Sequence, residues 1–368
     1  MQRMHRPVLL GLLALLAAGN AGAQTTTPEP SPAEVKEYIL FSEIVRVAAP
    51  GKALDLSFGQ GNTGSVKPDD VVWILDPTAP GLAGIACRPI RDTAKAGEAM
   101  GRLGGTELRG GVATHVRSGQ EGAYVLDADG RLWLWRGGRA DSLRVGKGIA
   151  TSTDVDANGS GLLAVLWGKE VLVFLGFPSP PAWRFSLEAD LLPAVGVAVS
   201  AGAEIVVAGR GSVCVAVYDL DANGTYRRLR SATAASLGVQ GTGGVEVPPF
   251  MILPTEGKEA YVDQDRFVVL TDAGAGALLL LERSSLRRVG RWEIRGQIPG
   301  AAPGKLDVSN RGQIAFVDQR DGVAQVLPTR VLVAMLEGAE KIRWRRLEPQ
   351  PEVYRVHAGD TLNLPPRK

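Results

Sequence analysis

Short apolar runs separated by tight turns recur along most of the chain, and they constrain its fold more than any other feature. The clearest case is Leu306 to Leu327, LDVSNRGQIAFVDQRDGVAQVL. Leu306-Asp307-Val308 leads into the turn Ser309-Asn310-Arg311-Gly312, and Gln313 to Val317 leads into Asp318-Gln319-Arg320-Asp321-Gly322. Val323 to Leu327 then follows. Runs this short suit strands better than helices, and Gly-containing polar turns between them close hairpins. Gly122 to Leu126, Asp127-Ala128-Asp129-Gly130 and Arg131 to Trp135 repeat the pattern. So do Leu162 to Leu166, Gly168-Lys169-Glu170 and Val171 to Phe174. Val213 to Tyr218 with the turn Asp221-Ala222-Asn223-Gly224, and Ala277 to Glu282 with Arg287 to Ile294, are further copies.

Inner strands are expected near residues 53, 112, 155, 197, 250 and 306. A spacing of roughly 40 to 60 residues belongs to propeller blades and not to short solenoid repeats. One four-stranded meander alone would expose two edges and two apolar faces. Radial packing buries the faces, and the ring closes when the chain ends share a blade. The expected fold is therefore all-β, a β-propeller of six blades, or seven if a long segment hides a degenerate one. A β-sandwich or a pair of small β-domains is the competing arrangement. Ile44 to Val47 should supply a strand to the blade built by the C-terminal end, and Val331 to Arg345 should finish it. The expected organisation is a signal peptide over residues 1–23, a Thr/Pro-rich linker over 24–36, the propeller over 37–348 and a Pro-rich tail over 349–368.

The N-terminal segment carries the clearest cellular signal. Arg3, His5 and Arg6 precede the apolar run Val8 to Ala18, which is too short to span a bilayer, and Ala21-Gly22-Ala23 supplies the small residues of a cleavage site. The mature chain is expected in the periplasm or secreted, with no transmembrane segment after cleavage. A net charge of +2 with no basic stripe argues against nucleic acid. Cys87 and Cys214 are the only cysteines. Export permits a disulfide, but the two fall in non-adjacent blades, so two small buried hydrophobes is the favoured reading.

Asp307-Val308-Ser309-Asn310-Arg311-Gly312-Gln313-Ile314-Ala315-Phe316 resembles the D-V-S-x-x-G-x-I-A-F pattern of bacterial WD-like and YVTN-type propellers. Leu278 to Glu282 with Arg288-Val289 resembles the outer hairpin of the same group. The resemblance spans Ala53 to Arg345 as a degenerate repeat and lacks the WD dipeptide at strand ends. It implies a propeller superfamily that includes binding scaffolds, lactonases and assembly partners, and so leaves function open.

Candidate chemistry is sparse. Asp154-Val155-Asp156-Ala157-Asn158-Gly159 and Asp219-Leu220-Asp221-Ala222-Asn223-Gly224 each carry half of a calcium-loop pattern. The twelfth positions hold Val165 and Arg230 where a bidentate Glu is required, so plain turns are the favoured reading and no cofactor is assigned. His115 and His357 are the only histidines beyond the leader, which excludes a multi-histidine zinc site. His115 falls in an inner strand and could line the channel, although a structural histidine is favoured. No G-x-S-x-G, P-loop or Rossmann fingerprint stands in a suitable context. Trp133 and Trp135 alternate on one strand face, which suits blade packing.

The loops joining second to third strands should gather on one face. They present Asp127, Asp129, Lys169, Glu170, Arg210, Asp272, Asp318, Arg320 and Asp321, a mixed-charge surface suited to a protein or peptide partner. Val353 to Leu362 resembles the opening of a LysM glycan module, but the module is incomplete, and a tail that adds a strand to a partner is the stronger expectation. The expected function is an exported, non-catalytic scaffold in the cell envelope. The alternative is a metal-dependent hydrolase or lactonase-like enzyme with acids at the channel mouth. An enzyme should bring acids from different blades to one point.

Overall fold

The computed structural model describes residues 37–38, 44–48, 52–58, 71–75, 81–86, 99–104, 112–119, 122–135, 140–158, 161–249, 251–255, 258–262, 266–336, 343–344 and 353–355. The leader, the linker through residue 36 and Cys87 lie outside these residues.

Glu37–Tyr38 (β1) and Val45–Ala48 (β2) come first. Asp55–Phe58 (β3), Val71–Leu75 (β4), Gly81–Ala86 (β5) and Ala99–Gly104 (β6) then form a four-stranded antiparallel sheet in chain order. Ala113–Gly119 (β7), Gly122–Asp127 (β8), Arg131–Trp135 (β9) and Ala140–Arg144 (β10) form the next. Thr153–Ala157 (β11), Leu162–Trp167 (β12), Glu170–Leu175 (β13) and Trp183–Ser186 (β14) form another, followed by Ala194–Val199 (β15), Ile205–Gly209 (β16), Val213–Leu220 (β17) and Tyr226–Thr233 (β18). Thr242–Glu246 (β19) is separated from its sheet partners by a hairpin of Met251–Thr255 (β20) and Lys258–Val262 (β21). Phe267–Asp272 (β22), Ala277–Glu282 (β23) and Arg288–Glu293 (β24) complete that sheet. Pro303–Val308 (β25), Ile314–Asp318 (β26) and Val323–Leu327 (β27) precede a helix, Thr329–Leu336 (α1). Arg343–Trp344 (β28) pairs in parallel with β1, and Val353–Arg355 (β29) is the last strand.

The first strands β3, β7, β11, β15, β19 and β25 lie beside one another in sequence order, and β25 returns to β3. This closed ring of meanders is a β-propeller. Both faces of a blade are buried, so alternate residues of one strand enter opposite seams. Val269, Leu278 and Leu280 pack against Leu306, Ile314 and Phe316, whereas Val268, Leu270, Leu279 and Leu281 pack against Val206, Val215 and Val217. The seam between the chain ends is built the same way, with Leu56, Val72 and Ile74 against Ala315, Val317 and Val326. Trp73, Trp133 and Trp135 share one seam, with Trp73 and Trp135 edge-on at 5.9 Å.

Several expectations need correction. Among the described residues there are five four-stranded blades where six or seven were expected, with a closing five-stranded sheet ordered β25-β26-β27-β2-β29 and two two-stranded pairs, β1-β28 and β20-β21. That closing sheet does take its fourth strand from the N-terminal side, with Val45 opposite Val326 in antiparallel register. Its fifth strand is the tail, since β29 runs parallel to β2 with Val47 opposite Tyr354. The tail thus adds a strand to its own chain. The described residues of Val331 to Arg345 do not finish a blade: α1 buries Val331, Leu332 and Met335 in the adjoining seam, and Arg343–Trp344 pairs with β1. TRVLVAML is apolar at almost every position, so its period cannot separate helix from strand.

The inner strand expected near residue 250 is instead Thr242–Glu246. Its glycines read as a loop, but they mark close backbone approach. A Cβ on Gly243 would sit 2.3 Å from the Pro303 carbonyl oxygen and 2.7 Å from Thr271 Oγ1. Gly243→Ala should therefore destabilise the fold by about 1–3 kcal/mol through overpacking. A shift in urea midpoint checks it, and an unchanged midpoint would refute the close-approach reading.

Candidate functional site at the centre of the ring

Each first strand presents an open backbone edge to the axis, so its inward N–H groups need partners. On β3, β7 and β15, polar side chains from the preceding blade supply them. Asp55 Oδ2 accepts from Val116 N at 3.0 Å, and Ser57 Oγ accepts from Ser118 N at 2.9 Å. Asp154 Oδ2 accepts from Val197 N at 2.9 Å, and Asp156 Oδ2 from Val199 N at 2.7 Å. Asp307 Oδ2 accepts from Phe58 N at 2.7 Å and from Ser57 Oγ at 2.8 Å, joining the two ends of the ring. The local sequence explains the placement. In each first strand one apolar residue faces the preceding blade, and its two neighbours face the following one. The triplets are Asp55-Leu56-Ser57, His115-Val116-Arg117, Asp154-Val155-Asp156, Gly196-Val197-Ala198, Gly244-Val245-Glu246 and Lys305-Leu306-Asp307.

The polar members meet as a buried charge network. Arg117, 3% exposed, lies 3.0 Å from Asp156, 3.3 Å from Glu246 and 3.3 Å from Asp307. It also donates to the Leu306 carbonyl at 3.3 Å. Lys305 Nζ sits 2.9 Å from Asp154 Oδ1 and donates to the Val195 carbonyl at 2.7 Å. Burial pushes the Glu246 carboxyl well above its usual range, helped by Asp156 and opposed by Arg117. Burial likewise raises Asp156 to about 6 against the pull of Arg117. Asp55 goes the other way. Burial alone would raise it, but His115, Arg117 and Lys305 together hold it below the ordinary carboxylate value. Arg117 stays charged because Asp307, Glu246, Asp156 and Asp55 outweigh its desolvation.

His115 does line the centre. Its Nε2 is 2.8 Å from Thr153 Oγ1, and its Nδ1 lies 3.3 Å from Asp55 Oδ2 and 3.6 Å from Asp154 Oδ1. The first calcium-like segment is not a plain turn. Its Asp154 and Asp156 belong to β11 and point to the axis. The second segment is a turn, with Asp221 Oδ1 accepting from Asn223 N and Thr225 N. Cys214 is a buried free thiol that burial raises to about 11, in keeping with a small hydrophobe.

The expected rim residues divide into two sets. Asp127, Asp272 and Asp318 are buried, with carboxylates that clasp turns. Asp127 accepts from Asp129 N, Arg131 N and Trp133 Nε1, and Asp318 accepts from Ala302 N and Arg320 N. Asp129, Lys169, Arg210 and Arg320 are exposed, and Glu170 and Asp321 are partly so. Arg210 Nε donates to the Thr242 carbonyl at 2.9 Å, while Arg320 reaches the Pro299 carbonyl and Asp321. Sequence reasoning missed Asp55, Arg117, Glu246 and Lys305 as members of one cluster. The polar-apolar-polar triplets Asp55-Leu56-Ser57, His115-Val116-Arg117 and Lys305-Leu306-Asp307 are the signal that could have placed Asp55, Arg117 and Lys305 at the axis, whereas Gly244-Val245-Glu246 carries no such signal for Glu246.

The ring of meanders defines the chain as a β-propeller. No protein-family model matches the chain, and no curated protein matches it. Solved structures do resemble it in fold. The β-propeller domain of Cps50 (Swd1) from Myceliophteria thermophila shares 8% identity at a TM-score of 0.46, over 74% of this chain and 82% of that one. A chain of the mitotic checkpoint complex shares 10% at 0.48, over 82% and 84%. BamB from Moraxella catarrhalis shares 13% at 0.40, over 81% and 93%.

Proposed function

We propose that this propeller is an exported, non-catalytic scaffold that binds a protein or peptide partner in the cell envelope. The observation that carries the proposal is how the central carboxylates are used. Asp55, Asp154, Asp156 and Asp307 each hold a backbone N–H of the next blade. Arg117 and Lys305 engage the acids that converge there. Such a centre fastens the ring and leaves recognition to the exposed loops. Asp129, Lys169, Glu170, Arg210, Arg320 and Asp321 are the residues proposed to meet the partner. The leader-like segment over residues 1–23 supports export.

A second reading, the metal-dependent hydrolase or lactonase-like enzyme, draws on the same convergence of acids from different blades. The scaffold is preferred because cations of the chain already engage most of those acids. Charge reversal tests it. The double variant Asp129→Lys, Lys169→Glu should keep the wild-type melting temperature yet lose envelope partners in cross-linking by about tenfold or more. Identical cross-linked partners for variant and wild type would overturn the loop-face proposal.

A further inference from the structure

We propose that Asp55, His115 and Asp154 form a binding site for one divalent transition-metal ion, fastening three successive blades at the axis. The inference goes beyond the scaffold reading and stands independently of it. Asp55 comes from β3, His115 from β7 and Asp154 from β11. One ligand atom from each can be chosen so that all three lie within 4.8 Å of one another.

The first argument is spacing. Bonds of about 2.0–2.2 Å in a tetrahedral site put donor atoms roughly 3.3–3.5 Å apart. His115 Nδ1 stands 3.3 Å from Asp55 Oδ2 and 3.6 Å from Asp154 Oδ1. Both distances are long for an N–H···O hydrogen bond, whose usual length is about 2.9–3.0 Å. Both suit the edges of a coordination polyhedron.

The second argument is that His115 Nδ1, in a residue only 8% exposed, makes no hydrogen bond of good geometry and meets Asp55 Oδ2 only at the long distance of 3.3 Å. It faces two carboxylate oxygens and aligns with neither. A cation among the three atoms would satisfy the nitrogen and both oxygens together.

The third argument is preorganisation. Thr153 Oγ1 holds Nε2 and fixes the ring. Leu56 N and Val116 N hold Asp55, and Val197 N holds the far oxygen of Asp154. Partners of this kind orient ligands in metal sites. Charge points the same way. The carboxylates of Asp55, Asp154, Asp156 and Asp307 outnumber Arg117 and Lys305 in a desolvated space. A single imidazole with two carboxylates selects zinc, manganese or cobalt over magnesium or calcium, which favour all-oxygen sets. Lys305 is the built-in competitor, because its ammonium already lies on Asp154 Oδ1.

The test uses the full chain without a histidine tag, stripped with chelator and titrated with zinc chloride in a calorimeter. Wild type should bind about one ion per chain. Cobalt should give the visible bands of a low-coordinate site. His115→Gln should lose the cobalt bands and weaken zinc binding by about tenfold or more. Lys305→Met removes the competing cation and should tighten binding. His115→Gln is small enough to fold, and circular dichroism checks that. If it fails to fold, Lys305→Met carries the test by itself. Absence of stoichiometric zinc binding, equal binding by His115→Gln, or weaker binding by a folded Lys305→Met would each overturn the site. The first of these outcomes would leave His115 as a buried hydrogen-bonding residue and would not touch the loop-face proposal.

Discussion

Replacing Arg117 with methionine should lower stability by about 3–5 kcal/mol, because removal of one partner leaves buried carboxylates uncompensated. Methionine fills much of the same volume, so the loss is one of charge and hydrogen bonding. Asp156, Glu246 and Asp307 all lie within 3.3 Å of the guanidinium. The deficit should depend on pH, with a definite sign. Asp156 is raised to about 6 and Glu246 well above its ordinary value in the folded chain. An acid raised on folding favours the protonated form there. It therefore lowers stability as pH climbs from its unfolded value through its folded one. Without Arg117 both acids rise further. The variant should be worst near neutrality and approach wild type as pH falls toward about 4, where both acids are protonated in the folded variant and the folded wild type alike. Urea denaturation at neutral and mildly acidic pH measures this. A pH-independent deficit would show that Arg117 acts by packing alone. Arg117→Lys should fall between the two, since one ammonium cannot span three carboxylates.

How much of this was legible in the sequence can be argued strand by strand. The hairpins were legible, because Asp127-Ala128-Asp129-Gly130 and Asp318 to Gly322 carry their own turn chemistry. So was the sharing of the closing sheet, which Val45 and Val326 fulfil. Thr242–Glu246 was not, because glycine signals both a loop and a crowded strand, and only the proximity of Pro303 decides between them. Helix α1 was not, because its composition has no polar face to set a period.

The centre was half legible. Asp154 and Asp156 stood out, but as a calcium half-loop, since alternate acids before Asn-Gly fit a turn equally well. His115 was placed in an inner strand. What no local pattern could give is that Arg117 meets Glu246 and Asp307, which come from strands far along the chain. Charge partnership across a ring depends on blade order and register, and neither is written in any single repeat. The rim acids show the converse. Asp127, Asp272 and Asp318 sit in polar, turn-like sequence and suggested exposure, yet each is drawn inward by the amide groups it accepts from.

That clasp makes the second large prediction. Asp272→Ala should destabilise the fold by about 2–4 kcal/mol, because several amides lose their acceptor together. Asp272 is fully buried. It accepts from Gln240 N at 3.1 and 3.0 Å, from Gly241 N at 2.9 Å and from Ala275 N at 3.1 Å. Ala275 belongs to the turn that follows β22, whereas Gln240 and Gly241 lead into β19. One carboxylate therefore fastens a hairpin turn to the approach of its own blade's innermost strand. Alanine leaves those N–H groups without an acceptor and frees the segment that delivers Glu246 to the axis. Asp272→Asn keeps one acceptor oxygen and should lose less. Asp318→Ala removes the equivalent clasp, which holds Ala302 N and Arg320 N, and should also cost less than Asp272→Ala. Hydrogen exchange gives the decisive readout. The amides of Gln240, Gly241 and Ala275 should lose protection in Asp272→Ala before those of β23 do. Retained protection at these three amides, with a urea midpoint near wild type, would mean that backbone pairing alone holds the turn.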